Sequence, residues 1–157
     1  MDNKKMHEDA VKVYEKMINT LDAMEWKYQR NDERLTVKYI VTGEDLPMEF
    51  YVTVDEGFQA VRHVSVLPVK FPEEKRLDGV LAACSASCGL PEGYFSCNVK
   101  DGRITFVSAS NFMECRVSNE WFASMMQFAH GIVDKYNDRF LMLAKGMTDI
   151  SGFVNQT

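Results

Sequence analysis

The chain has 157 residues, of which 46% are hydrophobic and 26% charged, and its net charge is −5. That size and balance suit a single ordinary core and exclude disorder, while no apolar run approaches the ~20 residues that a membrane helix needs. The lysines and arginines are scattered, so no basic field exists for a phosphate backbone, and nucleic acid is not an expected partner.

The first eight residues are charged and lack a signal peptide's apolar centre, so we expect a cytoplasmic protein. In that compartment the four cysteines, Cys84, Cys88, Cys97 and Cys115, are read as free thiols.

Over 3–24, Met6, Ala10, Val13, Tyr14, Met17, Ile18 and Leu21 recur at helical spacing, which predicts an amphipathic first helix. Trp26 and Tyr28 then alternate with polar residues in a short strand. Leu35, Val37, Tyr39 and Val41 share one face of a second strand. A third carries Met48, Phe50, Val52 and Val54. A fourth, over 58–67, has Phe58, Ala60, Val64 and Val66 on one side and Gln59, Val61, His63 and Ser65 on the other. The short turns between these strands make neighbours antiparallel.

Pro68 and Pro72 are expected to end the strand run, and Pro72-Glu73-Glu74 fits the opening of a second helix. The apolar stripe of that helix is read as Leu77, Val80, Leu81, Cys84 and Cys88, closed by Gly89 and Pro91. Asp101-Gly102 between two strand-like runs predicts a hairpin with a two-residue turn. Residues 109–117 fit either a strand extension or a loop.

The longest element is a helix over 118–145. Phe122, Met125, Met126, Ala129, Ile132, Val133, Tyr136, Phe140 and Ala144 step by threes and fours along it, Ser118 stands as N-cap, and Gly146 is a C-terminal stop. Residues 147–157 form a tail that docks weakly or frays. The expected fold is a single α+β domain over 1–157. It consists of a twisted, mostly antiparallel sheet flanked by three helices, in the order α-β-β-β-β-α-β-β-α.

This order of elements, with Asp101-Gly102, Ser118, Phe122, Met125, Met126, Asp134, Tyr136, Phe140 and Gly146, resembles the YbjN-like family, whose fold is that of the type III secretion chaperones. The resemblance covers nearly the whole chain and rests on packing positions. It implies dimers and regulatory or chaperone-like binding, with no established reaction.

The chemistry-bearing residues give little beside that. Cys84 and Cys88 are four apart, but a zinc site needs two more ligands from separate elements, so small buried thiols are the preferred reading and no metal or cofactor is expected. No nucleophile stands beside His63 or His130 by local spacing, and Asp134 with Asp138 reads as a solvated helix face. Phosphate-loop spacing is missing.

The expected function is therefore a non-catalytic protein-binding module, chaperone-like or regulatory, that captures an apolar segment of another protein; the alternative is a cysteine-based redox sensor or another enzyme. Leu77, Val80, Leu81, Cys84 and Cys88 are the expected homodimer surface. Phe112, Met113, Phe153 and Val154, with Met142 and Met147, fit packing against the core or tail first, and as the alternative, on which partner binding rests, they line an exposed groove.

Overall fold

The computed structural model describes residues 3–113 and 115–156; Met1, Asp2, Glu114 and Thr157 lie outside them, and so do the outermost ends of the expected 1–157 unit and its tail. Helix α1 spans Asn3–Ala23 and is followed by strands β1 (Tyr28–Asn31), β2 (Thr36–Thr42), β3 (Pro47–Asp55) and β4 (Ala60–Lys70). A 3-10 turn at Glu73–Lys75 leads into α2 (Arg76–Ser87). Strands β5 (Tyr94–Cys97) and β6 (Arg103–Asn111) come next, then α3 (Asn119–Ala144) and a short α4 (Ile150–Asn155).

The six strands form one sheet in the order β1-β2-β3-β4-β6-β5, with antiparallel neighbours throughout. The α+β fold and the order of its main elements are those expected. Helices α1 and α3 cover one face. Onto that face the period-two alternation turns Leu35, Val37 and Tyr39 of the second strand and its approach, Phe50, Val52 and Val54 of the third, and Ile104 and Phe106 of the sixth. In β4 the inward set is Val61, His63, Ser65, Leu67 and Val69, while Phe58 stands in the preceding turn with its ring exposed.

Helix α3 holds the core together. Ser118 accepts a hydrogen bond from the Trp121 N–H at 3.1 Å, and Gly146 closes the helix at φ +73°. Phe122, Met126, Ala129, Val133, Tyr136 and Phe140 are all buried along the expected stripe.

Two local expectations are corrected, and of the two states expected for the tail the docked one is found. The strand run does not stop before Pro68: β4 continues to Lys70, because the ladder to β6 shifts register between Val66 and Lys70 and the proline occupies that irregularity, where no ladder N–H is required. The second hairpin exists, but its turn is the five-residue loop 98–102, in which the Gly102 N–H bonds the Asn98 carbonyl and Gly102 alone has positive φ. Gly102 is required there for a second reason, since a Cβ would collide with the Phe71 carbonyl. The tail is docked over Ile150–Asn155: Asp149 caps α4 by accepting from the Gly152 N–H at 2.7 Å, and Phe153 packs 5.1 Å from Phe140. Among the described residues, no helix is long and apolar enough to cross a membrane.

Candidate functional site

Three features concentrate chemistry or unpartnered surface. The first is a polar knot inside the core. Tyr39 of β2, His63 of β4 and His130 of α3 converge, with the Tyr39 hydroxyl 2.6 Å from the His63 Nε2 and 3.0 Å from the His130 Nε2. Phe50 lies against both imidazoles, with centroids 4.9 and 4.7 Å away, and Trp26 stacks on His130 at 5.2 Å.

One hydroxyl proton between two Nε2 atoms requires opposite roles: one ring accepts from Tyr39 and the other donates to it. The His63 Nδ1 is buried with no partner. The least costly assignment therefore has His63 donating through Nε2–H and Tyr39 donating to His130, which leaves a lone pair unpartnered at Nδ1 instead of an N–H.

Burial, with a smaller contribution from His130, pushes the His63 pKa down to about 3. Burial lowers that of His130 to about 4 and raises that of Tyr39 well above its ordinary value. At neutral pH the knot is uncharged. Tyr39 and His63 are fully internal and His130 half-buried, and the network is not a base poised near neutrality. Among the described residues, neither ring is hydrogen-bonded to a thiol, a serine hydroxyl or a carboxylate; the Ser65 hydroxyl is spent on the Glu49 carbonyl at 2.9 Å.

His130 also lines a shallow pocket of about 340 Å³ beside Gly43, Glu44 and Asp134. There Asp134 is no simple solvated charge, since it accepts from the Glu44 N–H at 3.0 Å and pins the β2–β3 turn to α3. Asp138 accepts from the Arg139 N–H within its own helix. No group of three His, Cys, Asp or Glu among the described residues is placed to hold a metal ion.

The second feature is the outward side of α2. The expected stripe is inverted: Gly79, Ala82, Ala83 and Ala86 face the core, while Leu77 is 76% and Leu81 56% exposed. Val80 is half-buried, and both Cys84 and Cys88 are exposed. The small residues let α2 approach β5 closely. The Ser87 hydroxyl donates to the Ala83 carbonyl at 2.7 Å within α2 and accepts from the Phe95 N–H at 2.8 Å, so α2 occupies the sheet's outer edge at that point. The expectation that Cys84 and Cys88 are buried within this chain is therefore corrected. The thiols among the described residues are unpaired, as expected.

The third feature is a groove of about 580 Å³ between α1 and the described residues Phe112, Met113, Cys115 and Val117. Lys5, Asp9, Lys12 and Lys16 of α1 line one wall. Val13, Met113, Cys115 and Val117 contribute to the rest. Gln59 anchors the groove, donating from Nε2 to the Met6 and Glu56 carbonyls at 3.0 and 2.7 Å.

Of the four residues expected to form one partner groove, Phe112 and Met113 both line this one, whereas Phe153 and Val154 stand apart on α4. Phe112 is 4% and Phe153 2% exposed, because each plugs the core at its own end of the molecule, the latter between Tyr136 and Phe140. Met113 and Val154 remain exposed on separate elements, as do Met142 and Met147 beyond them.

No family model matches the chain, and no curated protein matches it in sequence. In fold it is similar to YbjN, a candidate transcription regulator from E. coli, with TM-score 0.59 and 8% identity over 82% of this chain and 93% of that one. It is also similar to a chain of the HopA1–SchA chaperone–effector complex, with TM-score 0.52 and 10% identity over 99% of this chain and 98% of that one. The chain thus has a YbjN-like, chaperone-like fold.

Proposed function

We propose that this chain is a non-catalytic protein-binding module, chaperone-like or regulatory, which captures an apolar segment of another polypeptide and is itself assembled as a homodimer. The observation that carries the reading is the inverted α2. A helix that packs inward on glycine and alanine while presenting two leucines outward offers apolar surface that only another polypeptide would cover. Leu77, Leu81, Cys84 and Cys88 follow a 4-3-4 spacing, the seam of a helix meeting a helix, and a two-fold pairing of α2 with its copy satisfies both partners at once. A fold shared with a chain of a chaperone–effector complex supports the binding of a second protein. The neutral Tyr39–His63–His130 knot, buried except for its half-buried His130, offers no acid or base poised near neutrality, which supports a non-catalytic reading.

Light scattering tests the assembly. The wild type should run as a dimer at micromolar concentration and Leu81→Glu as a monomer with an unchanged melting temperature in dilute solution. A monomeric wild type would remove the homodimer from the reading. A cysteine-based redox sensor is the second reading, favoured by the exposure of Cys84 and Cys88. It requires that mild peroxide change the oligomeric state and that a Cys84→Ser/Cys88→Ser variant abolish the change.

A further inference from the structure

We propose that the Tyr39–His63–His130 knot is a proton-operated latch: one proton taken up at His130 breaks its bond to Tyr39, and the ring turns out into the adjoining pocket, loosening α3 from the sheet while the rest of the fold holds. The Tyr39 hydroxyl has one proton to share between two Nε2 atoms, at 2.6 and 3.0 Å. In the neutral chain His63 donates to Tyr39 and Tyr39 donates to His130, so the His130 hydrogen sits on Nδ1 and a second proton goes to Nε2. That nitrogen then meets the Tyr39 oxygen as a donor. If His63 keeps donating, the Tyr39 O–H has no acceptor. If Tyr39 turns its proton to His63, the His63 hydrogen moves to Nδ1, which is buried without a partner. Tyr39 is 2% and His63 0% exposed, so either way a donor is stranded away from water and carries its full desolvation penalty.

Departure of the His130 ring removes that penalty, because water then reaches the Tyr39 hydroxyl and hydrates the imidazolium. The ring has room to leave. His130 is the half-buried member of the knot and lines the pocket of about 340 Å³, where a Cβ on the adjacent Gly131 would meet nothing within 4 Å. The groups facing the pair are few. Tyr39 comes from β2, Phe50 and Met48 from β3, Ser108 from β6 opposite His63, and Trp26 from the link after α1. Of these only Tyr39 titrates, and burial moves it further from neutrality. The carboxylates of Glu44 and Asp134 line the pocket, so they favour the cation there over the knot. Burial holds His63 at about 3 and His130 at about 4, and the first proton therefore falls to His130.

Two probes test this in the full chain. Trp26 stacks on His130 at 5.2 Å and is the sole tryptophan left in Trp121→Phe, so its emission follows the ring. As pH is lowered from neutrality, that emission should change in a one-proton step near pH 4 while far-UV circular dichroism stays constant. His130→Gln should abolish the step. Tyr39→Phe, which leaves no proton to share, should move it up by about one pH unit, a tenfold tighter proton. Nitrogen-15 spectra of the wild type are the second probe: His63 should be the Nε2–H tautomer at neutral pH, and His130 should titrate before it. A His63 found as Nδ1–H, an emission change that coincides with loss of helix, or a step that survives in His130→Gln overturns the latch. So does an unmoved midpoint in Tyr39→Phe, since burial alone would then account for the weak proton binding. Should a substitution prevent folding, the wild-type nitrogen titration decides, and protonation of both rings at one pH overturns the latch.

Discussion

Helices α3 and α2 solve the same problem in opposite ways. Helix α3 turns its large residues inward: Phe122, Met126, Tyr136 and Phe140 are buried against the sheet and its polar side faces out. Helix α2 turns its smallest residues inward and its largest apolar residues outward. Volume filling fixes α3, whereas close approach fixes α2: a Cβ at Gly79 would lie 2.9 Å from the Cys97 Sγ and 3.0 Å from the Phe71 ring. The lesson is that a hydrophobic stripe identifies a helix without saying which side the core takes. Where Gly and Ala form the other side, the leucines are left for a partner.

If this contrast is right, truncation should be severe only on α3. The Phe140 ring is fully buried, with Phe95 at 5.2 Å and Phe153 at 5.1 Å. Phe140→Ala should cost about 3 to 5 kcal/mol in chemical denaturation, through lost transfer energy and the cavity left behind. A loss under about 1 kcal/mol would mean that α3 is not the element around which the core forms.

Acid should act on the same seam. The His63 and His130 pKa values are lowered in the folded state, to about 3 and about 4, below the ordinary histidine value near 6.5. Both rings are neutral when folded, and the unfolded chain binds protons first as pH falls. The stabilisation is therefore complete above about pH 6.5 and declines as pH drops from there toward 4 and then 3. His63 alone contributes a slope of about 1.4 kcal/mol per pH unit in that window. Melts between pH 7 and pH 4.5 measure it, and a flat profile would contradict a buried neutral pair.

On α2 the signs reverse. Enlarging the inner face should hurt: Ala82 is fully buried, and Ala82→Leu should cost about 1 to 3 kcal/mol by forcing α2 away from β5. Shortening the outer face should not: Leu81→Ala should stay within about 0.5 kcal/mol for the isolated protomer. If the two substitutions cost the same, α2 is packed as α3 is and the contrast dissolves.

How far the sequence carries can be judged on these same residues. The α3 stripe, its Ser118 cap and its Gly146 stop were legible because large apolar residues and both end signals agree. The inner face of α2 was not, since alanine and glycine register weakly as hydrophobic and their value lies in how near Phe71, Phe95 and Cys97 can come. The Tyr39–His63–His130 knot was illegible for another reason. Tyr39 read as an ordinary inward strand residue, and its partners stand 24 and 91 positions away, joined only by sheet register and the crossing of α3. For Phe112 and Phe153 core packing and an exposed groove both stayed open because they sit in stretches without periodicity, where burial follows from the ends of neighbouring elements and not from a pattern of their own.

The mildest probe reads both sides of α2 at once. Cys84 and Cys88 lie on its outer side and are exposed, whereas the Cys97 Sγ lies beneath its inner side, beside Gly79 and 3.9 Å from the Arg76 carbonyl. Burial, assisted by the charge of Asp101, also pushes the Cys97 thiol above its ordinary pKa and depletes the reactive thiolate. Labelling of dilute native protein with a disulfide reagent, followed by peptide mapping, should therefore find Cys84 and Cys88 modified well before Cys97. Raising the protein concentration should slow the first two and leave Cys97 unchanged, because association covers the outer side alone. Protection of Cys84 and Cys88 even in dilute solution would place them inside the folded protomer after all. Reactivity that ignores concentration would leave the outer side of α2 uncovered and separate its leucines from any dimer.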